Sequence, residues 1–142
     1  MDARDVVLSP APALSLLSGL RLAFRTISAV SPALAAKLAQ RLWFTPPRPR
    51  VGPTSRAFLA TGERLDVPNI AAWSWGSGPA VILVHGWGGY AAQLQSFVEP
   101  LTRAGYRAIA FDMPAHAESG PSPHGARRAT LFDFADAFLA VA

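Results

Sequence analysis

The eleven residues Pro79 to Gly89, Pro-Ala-Val-Ile-Leu-Val-His-Gly-Trp-Gly-Gly, constrain the fold more than any other stretch of the chain. The unbroken aliphatic run Val81 to Val84 is too short for a buried helix and stops at a glycine cluster, so it reads as a strand buried on both faces that enters a sharp turn. Such strands sit inside mostly parallel sheets covered by helices, where ligands gather beyond the carboxyl ends of the strands. His85 to Gly89 are therefore expected at the ligand-bearing edge. Gly86, Gly88 and Gly89 allow positive φ and close approach to a bound group, and a helix beginning just after them would direct free N–H groups outward. A turn of this kind can hold an oxyanion.

The flanking sequence predicts how that strand is embedded. Residues 54 to 60 and 70 to 75 read as strands with turns at Gly62 and Pro68-Asn69, Arg64 to Val67 as a further short strand, and Gly76-Ser77-Gly78-Pro79 as the turn into the central run. After the glycine turn, Leu94, Phe97, Val98 and Leu101 form one face of a helix closed by Gly105, with a kink expected at Pro100. Residues 106 to 111 then read as a second buried strand. Strand, helix, strand in this order is a right-handed crossover, which opens both carboxyl ends on one edge of the sheet and brings Asp112 close to His85. Thr130 to Asp133 has the form of a capping box, and Leu131, Phe134, Ala135, Phe138 and Ala142 form the apolar face of a helix that runs to the last residue with no C-cap after it.

Charge and composition bound the rest. Half of the 142 residues are apolar and 15% are charged, as expected of one globular core. There is no cysteine, which excludes disulfides, thiolate metal sites and a cysteine nucleophile. His85, His116 and His124 show no paired ligand spacing, so no metal or other cofactor is expected. The formal charge of +4 is uneven: residues 1 to 56 carry eight basic and two acidic side chains, a net +6, and the remainder is −2. Those arginines lie on amphipathic helices without an aromatic platform, so a nucleic-acid partner is not expected.

The basic segment is read as a helical leader. Leu17, Leu20, Phe24 and Ile27 share one face of a helix over 13 to 30; Ser31-Pro32 caps a second, with Leu34, Leu38 and Leu42 on one face, ended by Thr45-Pro46-Pro47. Pro46 to Pro53 is a stiff linker, giving a leader over 1 to 53 and a main domain over 54 to 142. Met1 to Asp5 lacks a positive n-region, so a cytoplasmic location is expected. The uncharged run Val6 to Leu20 is broken by Pro10 and Pro12 and is shorter than the ~20 residues a span needs. Packing of the two helices on the body of the protein is favoured over peripheral membrane contact through residues 13 to 44.

From about residue 54 to 142 the chain resembles the α/β-hydrolase superfamily. His85-Gly86-Trp87-Gly88-Gly89 is similar to the family's His-Gly-x-x-Gly turn, in which the residue after His-Gly lends a backbone N–H to the oxyanion hole; here that is Trp87. Phe111-Asp112-Met113-Pro114-Ala115-His116-Ala117-Glu118-Ser119 resembles the family's Asp-x-Pro-Gly-His-Gly-x-Ser loop. The resemblance implies an α/β fold, the N-terminal portion of a hydrolase sheet with antiparallel first strands followed by a parallel strand-helix-strand unit, behind an N-terminal helical hairpin. It further implies a bacterial hydrolase, with an esterase or lipase-like serine enzyme acting on a small ester-like substrate favoured; epoxide hydrolase, dehalogenase and carbon-carbon hydrolase chemistry stay open, because the nucleophile, Ser or Asp, is what distinguishes them. His85, Gly86, Gly88 and Gly89 would support the oxyanion turn, with Asp112, His116 and Ser119 tying the second loop.

The departures are specific. Ala115 and Ala117 replace family glycines, and since alanine at positive φ costs on the order of 1 kcal/mol, the loop is expected to take a different shape. The Gly-x-Ser-x-Gly elbow, the acid and the catalytic histidine of the family are not found in these residues. Gly120-Pro121-Ser122-Pro123-His124 is the nearest local match, but it lacks the final glycine and the strand-to-helix context. The chain is thus read as the N-terminal part of a hydrolase, inactive by itself. The alternative is a non-catalytic membrane-surface or interaction protein that uses the basic hairpin on a hydrolase-like scaffold.

Overall fold

The structure, a computed structural model, describes residues 10–142, so Met1 to Asp5, on which the expectation about export rests, lies outside the described residues. The chain divides into two compact units, residues 1–42 and 43–142.

The first unit is a pair of helices, α1 (Pro10–Val30) and α2 (Pro32–Trp43, which ends just past the unit). Helix α1 begins three residues before the expected start, because prolines in a first turn give up only N–H groups that have no helical partner there. Between the two helices Ser31 Oγ accepts the Leu34 N–H at 3.3 Å, the expected cap. No described helix is long and apolar enough to cross a membrane.

The second unit is built on a four-stranded sheet in the order β1-β2-β4-β3, formed by β1 (Glu63–Val67), β2 (Ile70–Trp75), β3 (Ala80–Leu83) and β4 (Arg107–Phe111). The first two pairings are antiparallel and β3 with β4 is parallel, as expected. Alternation along the strands splits the core. Ala71, Trp73, Trp75, Ala108 and Ala110 face one side, and Ile70, Ala72, Ile109 and Phe111 face the other. The first side is covered by α3 (Pro53–Leu59), a 3-10 turn (Ala91–Leu94) and α4 (Gln95–Arg103), through Leu59, Ala91, Ala92 and Val98. The second is covered by α5 (Leu131–Val141), through Ala137 and Val141.

Four expectations are corrected here. Residues 54 to 60 are helix, not strand: Pro53 supplies a pre-set first helical φ, and Leu59 turns inward while Phe58 stacks on Trp75 at 5.0 Å. The central run is half-buried rather than buried on both faces, with Val84 47% exposed; among the described strands only β4 pairs with it. Phe97 points outward from α4, whose buried residue is Val98. The inner face of α5 is Asp133, Ala137 and Val141, not Leu131 and Phe138, since the capping box seats Asp133 inside: Thr130 N–H and Oγ1–H both donate to its Oδ2, at 2.6 and 2.9 Å.

Candidate functional site

The register of the parallel pair places the site. Leu83 lies opposite Ala110, so the residues that follow β3 and β4, His85 to Gly89 and Asp112 to Ser119, leave the sheet at the same edge. Two histidines join these loops reciprocally. His85, on the first loop, accepts the Met113 N–H on Nε2 at 3.0 Å. His116, on the second, accepts the Gly88 N–H on Nε2 at 3.1 Å.

Those bonds fix the tautomers. Each imidazole accepts on Nε2, so each carries its proton on Nδ1, where it donates to a carbonyl of its own loop: His85 to Gly86 O at 2.8 Å and His116 to Pro114 O at 2.9 Å. Burial holds both below the ordinary histidine value of 6.5, partly countered in each by that carbonyl bond. Both rings have both nitrogens committed, which suits bracing and leaves neither lone pair for proton transfer.

Asp112 works in the same framework. It is fully buried, and its Oδ1 accepts the Ala91 N–H at 2.7 Å while Oδ2 accepts the Glu118 N–H at 2.9 Å. Burial pushes its carboxyl above the usual range, and the two N–H donors pull it back. Ser119 Oγ donates to Asp112 O at 2.5 Å and accepts the Ala71 N–H at 2.8 Å, fastening the loop to β2. Asp112, His116 and Ser119 thus bond this loop to the turn after β3 and to β2.

The turn itself differs from expectation in two respects. Only Gly88 takes positive φ, at 72°, with Pro47 packed where its side chain would be; Gly89 is instead required because a Cβ would stand 2.9 Å from Gly86 O. At the start of the following helical turn two N–H groups are already taken, Ala91 N–H by Asp112 and Tyr90 N–H by Gln93 Oε1 at 3.2 Å. Within the turn, Gly89 N–H donates to Gly86 O at 2.9 Å and Gly88 N–H to His116. Trp87 N–H lies just before these two and has no acceptor among the described residues.

The second loop also corrects the sequence reading. Ala115 and Ala117 adopt φ of 61° and 29°, so the backbone keeps a left-handed course in spite of its alanines. What holds it is the density of bonds around it: Ala115 N–H to Gly120 O at 2.9 Å, and Arg48 Nη2 to Ala117 O and Ser119 O at 2.8 and 3.1 Å. Arg48 and Pro47 were not recognised as site residues, because an arginine among prolines in an extended segment carries no periodic signal. Phe134 likewise carries no local signal of its place in the site. It reaches the site from α5, stacking on Trp87 at 5.5 Å and meeting His116 edge-on at 5.2 Å.

Two other places lack the features of a site. Ser122, His124 and Asp133 come together, but Ser122 Oγ donates to Arg128 O at 2.5 Å, accepts the His124 N–H at 3.1 Å and is buried, which is a loop clamp and not a nucleophile. A cleft of about 550 Å³ lined by Phe58, Thr61, Trp75, Val98 and Thr102 lies at the opposite, amino-terminal edge of β4, and no residue of the His85 to Gly89 turn lines it. Among the described residues no group of His, Asp or Glu is arranged to hold a metal.

Residues 79–141 match the family model described as the alpha/beta hydrolase fold. Among solved structures the chain is similar to an epoxide hydrolase from an endophytic Streptomyces, at 33% identity and a TM-score of 0.38. That match covers 44% of this chain and 19% of the other. No curated protein matches the chain.

Proposed function

We propose that the chain carries part of an α/β-hydrolase-fold domain and supplies the oxyanion-binding side of a serine-hydrolase site, with the Trp87 N–H as donor. The observation that carries this reading is the donor pattern of the turn. Gly88 N–H and Gly89 N–H are consumed inside the protein, and Trp87 N–H, at the carboxyl edge of β3, is not. A preorganised backbone donor of this kind stabilises the negative charge that develops on a carbonyl oxygen when a nucleophile attacks. The reading supplies the donor alone: no Gly-x-Ser-x-Gly elbow occurs in these residues.

The substrate class that goes with it is a small ester-like molecule, of the kind bacterial esterases and lipases hydrolyse. The exposed part of the Trp87 indole, 43% accessible and backed by Phe134, offers an apolar wall beside the donor. The test uses the chain joined to a nucleophile-bearing segment and assayed on short acyl nitrophenyl esters. Trp87→Ala keeps the N–H and should chiefly raise KM; Trp87→Pro deletes it and should lower kcat by ~100-fold or more. Circular dichroism checks that the proline variant folds. Equal effects of the two substitutions on kcat would remove Trp87 N–H from the mechanism.

A second reading, in which the leader docks on a membrane surface, is favoured by one observation. No Asp or Glu occurs between Asp5 and Glu63, a stretch that holds Arg21, Arg25, Lys37, Arg41, Arg48, Arg50 and Arg56, and Leu16, Leu22 and Val30 are exposed on α1. On this reading the chain sediments with phosphatidylglycerol vesicles and not with phosphatidylcholine alone, and removal of residues 1–44 abolishes the binding. Failure to sediment with either vesicle removes it.

A further inference from the structure

His116 holds two successive residues of the oxyanion turn in different ways. Its Nε2 takes the backbone N–H of Gly88, and its ring meets the Trp87 indole edge-on, centroids 5.5 Å apart at 82°. The ring is fully buried and is itself held: Nδ1 is bonded to Pro114 O, and Phe134 packs against it at 5.2 Å. On the far side of the turn Pro47 sits 3.1 Å from where a Gly88 Cβ would be. The turn is thus seated between a proline and an imidazole, and its freedom to rotate the 87–88 peptide is taken up by one bond.

That bond decides how the 87–88 peptide is turned. This peptide, which carries Gly88 N–H and Trp87 C=O, is the central one of the turn closed by Gly89 N–H on Gly86 O, and with glycine after it, it can flip at little cost unless an acceptor holds it. We infer that His116 is a positioning residue: by engaging Gly88 N–H on Nε2 and packing against the Trp87 ring, it keeps that peptide from flipping and fixes the turn in which Trp87 N–H is left without an acceptor. This rests on the reading of Trp87 as an oxyanion donor, but the two are separable. His116 lies on the loop after β4, so this role also explains why the two loops are needed together: the second one sets the geometry of the donor on the first.

The experiment is amide and imidazole NMR on the 142-residue chain. A through-hydrogen-bond coupling between Gly88 N and His116 Nε2, with the proton on Nδ1, is expected near neutral pH; an Nε2–H tautomer overturns the inference. His116→Phe keeps a ring against Trp87 and Phe134 but removes the acceptor, and should speed Gly88 amide exchange by about tenfold or more. The Trp87 amide resonance should move with it. His116→Gln, which restores a carbonyl acceptor, should recover much of the protection. Unchanged Gly88 exchange and an unmoved Trp87 amide in a folded His116→Phe chain would overturn the inference; if that variant does not fold, the wild-type tautomer and coupling decide. Titration with butylphosphonate separates the two ideas. A Trp87 amide that does not respond to the phosphonate, in a chain whose Gly88 protection depends on His116, leaves the positioning role standing and removes the oxyanion reading.

Discussion

The carboxylate of Asp112, the first residue after β4, accepts the N–H of Ala91, the first residue of the 3-10 turn that follows the glycine cluster, at 2.7 Å. One bond thus joins the two ends of the crossover at the site edge. Ala91 is fully buried, so its N–H has no route to water if the acceptor is lost, whereas Glu118, the other donor, is exposed. Asp112→Ala should therefore destabilise the second unit by roughly 1–3 kcal/mol, the cost of one buried unsatisfied donor. Relief of the buried carboxylate offsets part of this without reversing it. Urea unfolding of the two proteins measures the difference, and an unchanged midpoint would mean the bond is incidental.

The histidine pair makes stability depend on pH with a definite sign. Burial lowers both folded-state values below the 6.5 of an unfolded histidine, so the unfolded chain takes up protons first as pH falls. The stability held by neutral His85 and His116 is complete above about pH 6.5 and is lost as pH drops through their depressed folded values. The charged groups near His116 act in both directions, Asp112 favouring its protonation and Arg48 and His85 opposing it. Asp112, raised from 3.8, has the opposite dependence, gaining on protonation as pH falls through its raised folded value. Melting temperature should fall between pH 7.5 and pH 5, and the fall should shrink in His116→Gln. A flat profile over that range would show that the two rings are not held neutral.

Much of this arrangement was legible in residue order and some of it was not. The aliphatic run ending in His-Gly-x-Gly-Gly, and the Asp-x-Pro loop one crossover later, were enough to bring His85 and Asp112 to one edge, because parallel pairing leaves no other place for them. The Thr130 to Asp133 capping box was equally plain. Residues 54 to 60 misled because Thr-Ser-Arg-Ala-Phe-Leu has no firm period, and the deciding feature, Pro53 as first helical residue, lies outside that window. Helix α5 misled because nearly every position is apolar, so hydrophobicity alone could not choose the inner face; the cap chose it. Arg48 and Phe134 reach the site from distant segments, and no local pattern marks a residue whose partner is set by tertiary packing.

The left-handed alanines give a stabilising substitution. Ala117, at φ 29°, is part-exposed, so removing its methyl forfeits little packing and relieves a conformation that costs an L-residue on the order of 1 kcal/mol. Ala117→Gly should be neutral to stabilising by up to about 1 kcal/mol, after the extra freedom that glycine gives the unfolded chain. Ala115, at φ 61°, is fully buried, and there the lost methyl, worth about 0.8 kcal/mol, cancels most of the gain. A thermal melt comparing the two variants tests the ordering. Ala115→Gly stabilising more than Ala117→Gly would contradict it.

The 142-residue chain by itself should not turn over esters, and the reason is the state of its best-placed serine. Ser122 is the centre of the nearest approach to an elbow motif, and His124 Nε2 stands 3.8 Å from Asp133 Oδ1, so the three residue types of a catalytic triad are neighbours. Their bonds assign other work. Ser122 Oγ–H is spent on Arg128 O at 2.5 Å, its lone pair faces the His124 N–H at 3.1 Å, and Asp133 Oδ2 caps α5. Ser122 is also buried. Ser122→Ala should therefore lower stability by about 1 kcal/mol through loss of the loop clamp and leave the background rate on short acyl nitrophenyl esters unchanged. Turnover by the unmodified chain with an acyl-enzyme burst, abolished in Ser122→Ala while the fold persists, would make this loop the active site and move the chemistry away from Trp87.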